Sequence, residues 1–464
     1  MHSDPDFLQN LNRELKDVRS WVDRSIVLAY AAVAGLSVVA FTMLAEKAFS
    51  IFEKIFHWQG GWLVLLWMPC LTAGIVWVTR RFAPGAAGSG IPQVSVALDA
   101  RITPAQRGRF VSLRLSVAKI FLSSAGFLAG LSIGREGPSV QVAAGVMQHA
   151  QRWLKHQSRI TGYALLIAGG AAGIAAAFNA PLAGVVFAIE ELSRKLESMS
   201  SGLVIAAIVL AGLMGVSFFG NLSYFGRIQV PTLGWTAIGP SLLVVVLCGA
   251  LGGLFAKLMA MSLTQPQQRL NQWRARFPIR FAAVLGLALA VMGLATGGAT
   301  FGSGSEQVQH MLSGDANTPA IFVTLKFIAT WLSAWTGAPG GIFAPSLSIG
   351  AGVGQNISVW VAPELAPALI AMGMAAFLAA VTQAPLTAFI IVMEMIDGHS
   401  MVLSLMTAAM LASLISRMLA RPLYETLAEF MVASVQPPQK PEPDPEPSDG
   451  LTPTQATAVA TNKP

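Results

Sequence analysis

The sequence predicts an all-α polytopic membrane protein, and three observations carry that expectation. Of its 464 residues, 54% are hydrophobic and 11% charged, against about 25% charged in an ordinary soluble domain. The apolar residues fall into long runs near 25–44, 61–79, 111–133, 163–192, 203–219, 240–263, 281–299, 318–336, 341–361, 368–396 and 402–420, and a helical span needs about 20 mostly apolar residues. The cations lie between those runs, in short loops. Several runs are long enough to hold two tilted or broken helices, so more helices than runs are expected.

The net charge of +7 would suggest nucleic acid in a soluble chain, but here its placement is topogenic. Arg80, Arg81, Arg101, Arg107, Arg109, Arg114, Arg152, Lys155, Arg159, Arg269, Arg274, Arg276 and Arg280 cluster in connecting loops, which the positive-inside rule makes cytoplasmic. Loops 300–317 and 361–368 carry no Lys or Arg and read as external. Cys70 and Cys248 both stand in apolar runs, where a free cysteine behaves as a small hydrophobe; neither a disulfide nor a metal site is expected. The six histidines show no ligand spacing.

Residues 1–24 are polar with one apolar helical face (Phe7, Leu8, Leu11, Leu15, Val18, Trp21), and Ser3 with Pro5 offers a start. They read as an interfacial or cytosolic helix and not as a signal peptide, because the apolar run after Arg24 is too long for one. After the second run, Gly85 to Pro92 forms a glycine-rich turn, GAAGSGIP, opening a helix at Pro92. Such a turn aims backbone N–H groups and a hydroxyl at the helix start, where the dipole favours an anion. Gly134 to Ser139, GREGPS, and Gly341 to Ser346, GIFAPS, open two more helices inside apolar sequence. Broken helices whose N-termini converge point to a transport site.

GREGPS also carries a charge pair at membrane depth. Ionisable groups there cost several kcal/mol and by default mark an ion or proton pathway. Glu136 is the first candidate; Arg135 is assigned a structural role, since its counterpart in the second half is Ile342.

That second half comes from an internal repeat. Lys119, Gly134, Pro138 and Ser139 pair with Lys326, Gly341, Pro345 and Ser346 at an offset of 207, and Leu165 to Glu191 aligns on Leu369 to Met395 at an offset of 204 with ten of 27 positions identical. Duplicated halves of this kind often build a transporter around a pseudo-two-fold axis, and the repeat alone leaves parallel and inverted arrangements both open. Glu190 recurs as Glu394, which predicts a structural role such as capping, whereas Glu191 faces Met395 and is the functional candidate. Pro422 ends the final run, and Tyr424 just beyond it reads on its own as an interfacial tyrosine. Residues 436–464 hold eight prolines among polar residues and read as a disordered tail.

Four motifs in order, GSGIP (88–92), GREGP (134–138), GIFAP (341–345) and Tyr424, together with Ala176 to Glu191, resemble the CLC family of chloride channels and chloride/proton antiporters. The resemblance covers residues 25–430, with halves at about 25–220 and 240–430. It implies two repeat-related halves of inverted topology. It further implies a central chloride held by the hydroxyls of Ser89 and Tyr424 and the amides of Ile342 and Phe343, Glu136 as gate and external proton acceptor, and Glu191 as internal proton-transfer residue. Channel members commonly carry an apolar residue at this last position, so the implied activity is chloride/proton exchange by a homodimer in a bacterial cell membrane, with both termini cytoplasmic, no cofactor and no nucleic-acid partner. A passive voltage- or pH-gated chloride channel of the same fold is the rival. An intramembrane enzyme lacks a nucleophile–base pair or metal cluster, and a cation antiporter lacks unpaired Asp residues within spans. Gln93 and Ser95 stand where many prokaryotic members carry acids, Ser89 argues against a nitrate-preferring member, and the tail is too short for paired nucleotide-binding domains.

Overall fold

Backbone polar groups find no water in a bilayer, so each apolar run must satisfy its own by forming helix. In the computed structural model, which describes residues 18–154, 158, 160–193, 202–220, 224–226, 234–314 and 318–435, every such run is helical. The main helices are α1 (Val18–His57), α2 (Val64–Phe82), α3 (Ile91–Leu98), α4 (Leu113–Leu128), α5 (Glu136–Ala150), α6 (Gly162–Ala177), α7 (Pro181–Phe187), α8 (Gly202–Phe219) and α9 (Ile238–Thr264). They continue with α10 (Arg269–Arg276), α11 (Pro278–Ala295), α12 (Ser305–Ser313), α13 (Phe322–Trp335), α14 (Phe343–Val361), α15 (Ala366–Thr382), α16 (Pro385–Met395), α17 (Val402–Arg417) and α18 (Leu423–Val435). Among the described residues, six helical stretches are long and apolar enough to cross a membrane, so the chain is a multi-pass membrane protein. Residues 18–24 run into α1 without a break; the remainder of the N-terminal segment, Lys155 and Arg159, and the Pro-rich tail lie outside the described residues.

The two longest runs each divide once, at equivalent points. Asn179 and Gln383 adopt left-handed φ angles of 57° and 59°, a conformation that ends a helix, and Pro181 and Pro385 open the next ones. The strain at each point is held by its amide: Asn179 Nδ2 donates to the Gly220 carbonyl (3.1 Å) and Gln383 Nε2 to that of Ala420 (2.9 Å). Within each half the helices beside the split pack through small residues. A Cβ on Gly169 of α6 would lie 2.7 Å from Ala144 Cα of α5, and one on Gly373 of α15 would overlap the Gly350 carbonyl of α14. Close backbone approach of this kind is how helices associate where lipid supplies no hydrophobic drive.

The halves are joined by two reciprocal contacts. Gly134 and Gly341 form an antiparallel bridge, N–H to carbonyl in both directions at 2.8 and 2.7 Å. Glu190 accepts from the Leu386 and Thr387 amides at the start of α16 (3.0 and 2.6 Å), and Glu394 accepts from those of Leu182 and Ala183 at the start of α7 (3.2 and 2.6 Å). Each half thus supplies the carboxylate that satisfies the other half's orphan N–H groups. The recurring acid is a cross-repeat cap, as its recurrence predicted. Replacing either cap by alanine should lower stability by about 1–2 kcal/mol, the range for a lost helix cap. Thermal unfolding of Glu190→Ala and Glu394→Ala in detergent checks this; unchanged midpoints would mean that the caps contribute nothing.

Candidate functional site

Three glycine-rich turns meet at one point. The first, before α3, has Gly88 and Gly90 at φ +72° and +116°, which only glycine adopts at low cost. The Gly88 carbonyl accepts from the Gly340 amide (3.1 Å), tying this turn to the one before α14, and that turn is bridged through Gly341 to the one before α5. A Cβ on Gly137 would overlap the Ser89 Oγ, so the GREGP turn needs glycine to approach the GSGIP turn. Gln93, standing where an acid was expected, donates Nε2 to the Ala87 carbonyl of its own turn (2.5 Å).

Each interrupted turn exposes carbonyl oxygens, and buried lysines engage them. Lys119 Nζ donates to the Ala86 and Gly88 carbonyls (2.8 and 2.6 Å), and its repeat mate Lys326 donates to those of Thr300, Phe301 and Gly302 (3.0, 3.2 and 2.8 Å). The second set reveals a fourth turn. Gly302-Ser303-Gly304 before α12 duplicates Gly88-Ser89-Gly90, a recurrence present in the sequence but not used in reading it. Its serine differs from Ser89 in one respect: Ser303 Oγ bonds Ser305 Oγ (3.0 Å), whereas Ile91 occupies the corresponding place in the first turn.

Ser89 is accordingly left without such a partner. Its Oγ and the Tyr424 hydroxyl are close enough to interact with each other, and among the described residues neither has any further hydrogen-bond partner although both are buried. An unsatisfied buried hydroxyl costs about 1–3 kcal/mol, and two beside one another mark a place built for a ligand. Tyr424 reaches it because α17 ends at Arg417 and α18 begins at Leu423, directly after Pro422, a helix absent from the sequence expectation; the tyrosine is buried, not interfacial. Phe343 packs on its ring (centroids 6.0 Å apart) and on Phe178 and Phe187. Ile342 and Phe343 stand at the start of α14, where the first N–H groups have no intrahelical acceptor.

Glu136 lies between the starts of α5 and α14, 1% exposed. Its carboxylate accepts from the Ala344 amide (3.4 Å) and lies beside the Arg135 and Glu136 amides. It also borders a cavity of about 270 Å³ lined by Glu46, Glu53, Arg135, Tyr224, Ser303 and Glu306 among others. The guanidinium of the adjacent Arg135 is engaged at the cavity wall. It bonds Glu46 and the Tyr224 hydroxyl (3.2 Å to the latter), with its guanidinium 5.6 Å above the Tyr224 ring. Tyr224 comes from the segment joining the halves, held by the Phe225 amide on the Met395 carbonyl (2.9 Å). Nothing in the sequence links it to the site.

Glu191 lies in a π-helical turn, Ala188–Leu192, closed by the Ser193 amide on the Ala188 carbonyl (2.8 Å). Single π turns recur at functional sites, and α16, the equivalent helix, has none. Glu190 keeps its cap on α16, while Glu191 lies close enough to the Tyr424 hydroxyl to interact electrostatically. The structure therefore brings Ser89, Glu136, Ile342, Phe343 and Tyr424 together, with Glu191 within electrostatic reach of Tyr424.

Comparison with known proteins follows the same lines. The voltage gated chloride channel family matches residues 70–417. Proteins named H(+)/Cl(-) exchange transporter ClcA are similar: that of Klebsiella pneumoniae strain 342 is 29% identical over 410 residues, 82% of this chain and 83% of its own length. That of Vibrio parahaemolyticus serotype O3:K6 is 30% identical over 360 residues, 74% of each chain. Among solved structures, a slow cyanobacterial Cl-/H+ antiporter superposes with a TM-score of 0.75 at 23% identity, covering 89% of this chain and 98% of its own. A CLC-type fluoride/proton antiporter superposes with 0.72 at 19%, covering 91% and 99%. These two likenesses concern the fold, with its inverted halves. The three turns, the two-half architecture and the family match agree, and the chain belongs to the voltage gated chloride channel family, CLC.

Proposed function

We propose that this protein exchanges chloride for protons across the membrane. The observation that carries the reading is the position of Glu136, a carboxylate lodged among backbone N–H groups beside two orphaned hydroxyls. In this reading chloride is held by the Ser89 and Tyr424 hydroxyls and the Ile342 and Phe343 amides. A deprotonated Glu136 is itself an anion and competes for the same donors. Protonation from the cavity beside it removes that charge, frees the site for chloride and loads one proton. Glu191, within electrostatic reach of Tyr424, passes protons to and from the opposite side. Chloride and proton then occupy one cycle because one side chain serves both. Exchange moves net charge, so it works with or against the membrane potential at about 2.3 kcal/mol per charge per 100 mV. The relatives named exchange transporters support this reading over a passive channel, as does a carboxylate at 191 where its repeat mate is Met395. The protein is further proposed to work as a homodimer in a bacterial cell membrane, with one pathway per subunit.

Reconstituted in liposomes under a chloride gradient, with the potential clamped by valinomycin, the protein should move protons uphill. Chloride flux with no proton movement would replace the exchanger by a channel. Glu136→Ala should abolish proton movement and keep chloride flux; uphill protons in that variant would remove Glu136 from the gate. Glu191→Gln should reduce proton flux more than chloride flux, and equal loss of both would deny it a proton-specific role.

Ser89→Ala should weaken chloride binding about tenfold to a hundredfold, the worth of one hydrogen bond to a charged group. Isothermal titration of the purified protein with chloride reads it, and an unchanged affinity would remove Ser89 from the ligand set.

A further inference from the structure

The chain carries a second cavity that the transport pathway does not use. It measures about 500 Å³ and lies between the segment 104–112, the start of α4 and the end of α5. Arg107, Arg114 and Arg152 line it with Ser112, Gln148 and His149, and among the described residues no Asp or Glu lines it. Three guanidiniums around one hollow repel one another unless an anion sits between them. The Arg107 Nε is buried and has no hydrogen-bond partner, and burial alone pulls that guanidinium below its ordinary range, with no carboxylate opposing. The start of α4 borders the hollow through Ser112, Leu113 and Arg114, and the dipole of this 16-residue helix favours an anion there.

The cavity is too large for chloride, and forked guanidiniums suit phosphate. Its surroundings indicate the source. Leu113, Val117 and Phe121, one helical turn apart on the outer face of α4, are 41%, 49% and 63% exposed, and Trp153 beyond α5 is 65% exposed. An apolar stripe ending in a basic hollow, with an indole at the same level, has the shape of a lipid site at the interface. The hollow lies at the Arg-rich end, which the positive-inside rule makes cytoplasmic.

We propose that this cavity binds a phosphate group, supplied by an anionic phospholipid whose acyl chain lies along Leu113, Val117 and Phe121. The test uses the full-length protein in nanodiscs of phosphatidylcholine titrated with phosphatidylglycerol, with bound lipid counted by native mass spectrometry. The R107Q/R114Q/R152Q variant should lose about a hundredfold in phosphatidylglycerol affinity, each cation near the surface contributing about a factor of five. R269Q/R276Q, which removes two cations of α10 outside the cavity, should bind as wild type. Equal binding by wild type and the triple variant, or equal loss in the α10 control, would overturn the site. Arg152→Gln alone, at an exposed rim position, should cost about fivefold and keeps the test decisive if the triple variant fails to fold; no loss there would count against the site. Inorganic phosphate titrated into phosphatidylcholine nanodiscs separates the sources. Arginine-dependent binding of phosphate without preference for phosphatidylglycerol keeps the phosphate site and moves its source to the cytosol.

Discussion

An interrupted helix inside a bilayer exposes N–H and C=O groups that no solvent can satisfy, and this structure depends on treating the two sets differently. The carbonyls are taken up from within: Lys119 and Lys326 bond those of two GSG turns, and the Gly340 amide bonds that of Gly88. Gly134 and Gly341 consume one donor and one acceptor each in their mutual bridge. What remains around the meeting point is an excess of donors, at the starts of α5 and α14 and on Ser89 and Tyr424. That imbalance suits an anion, and it arises from backbone and neutral hydroxyls.

The repeat supplies the frame and its departures supply the chemistry. Much of the frame is duplicated: the left-handed Asn179 and Gln383 at the splits, the swapped caps Glu190 and Glu394 between the halves, and the buried Lys119 and Lys326 under the turns. The candidate working groups are single. Glu136 faces Phe343 in the repeat, Glu191 faces Met395, and Ser89 has a counterpart in Ser303 whose hydroxyl is already bonded. A symmetric pair of carboxylates would put two like charges around one donor cluster, and one of them would have to stay protonated.

Much of this was legible because it is local or periodic. The apolar runs gave the helices, the length of several runs gave the expectation that some would divide, and the recurrence of Glu190 as Glu394 gave a structural acid. What escaped reading depends on contacts distant in the chain. A lysine inside an apolar run does not announce that it bonds carbonyls 31 and 33 residues earlier. Tyr224 sits in a linker and meets Arg135 at a separation of 89 residues. The burial of Tyr424 needed α18, whose start after Pro422 left the tyrosine reading as interfacial. The π turn at Ala188–Leu192 has no sequence signature beyond the paired acids.

The treatment of Arg135 follows from what a transport site requires. Binding must be strong enough to strip an anion of water and weak enough to release it. A full cation facing the donor cluster would hold chloride, or the Glu136 carboxylate, far more tightly than partial charges do, because little solvent screens it at that depth. Arg135 is the residue next to Glu136, yet its guanidinium is bonded to Glu46 and Tyr224 at the cavity wall. Its guanidinium is thereby paired at the cavity wall, and in the proposed exchange the direct contacts to either anion are left to backbone dipoles and two hydroxyls.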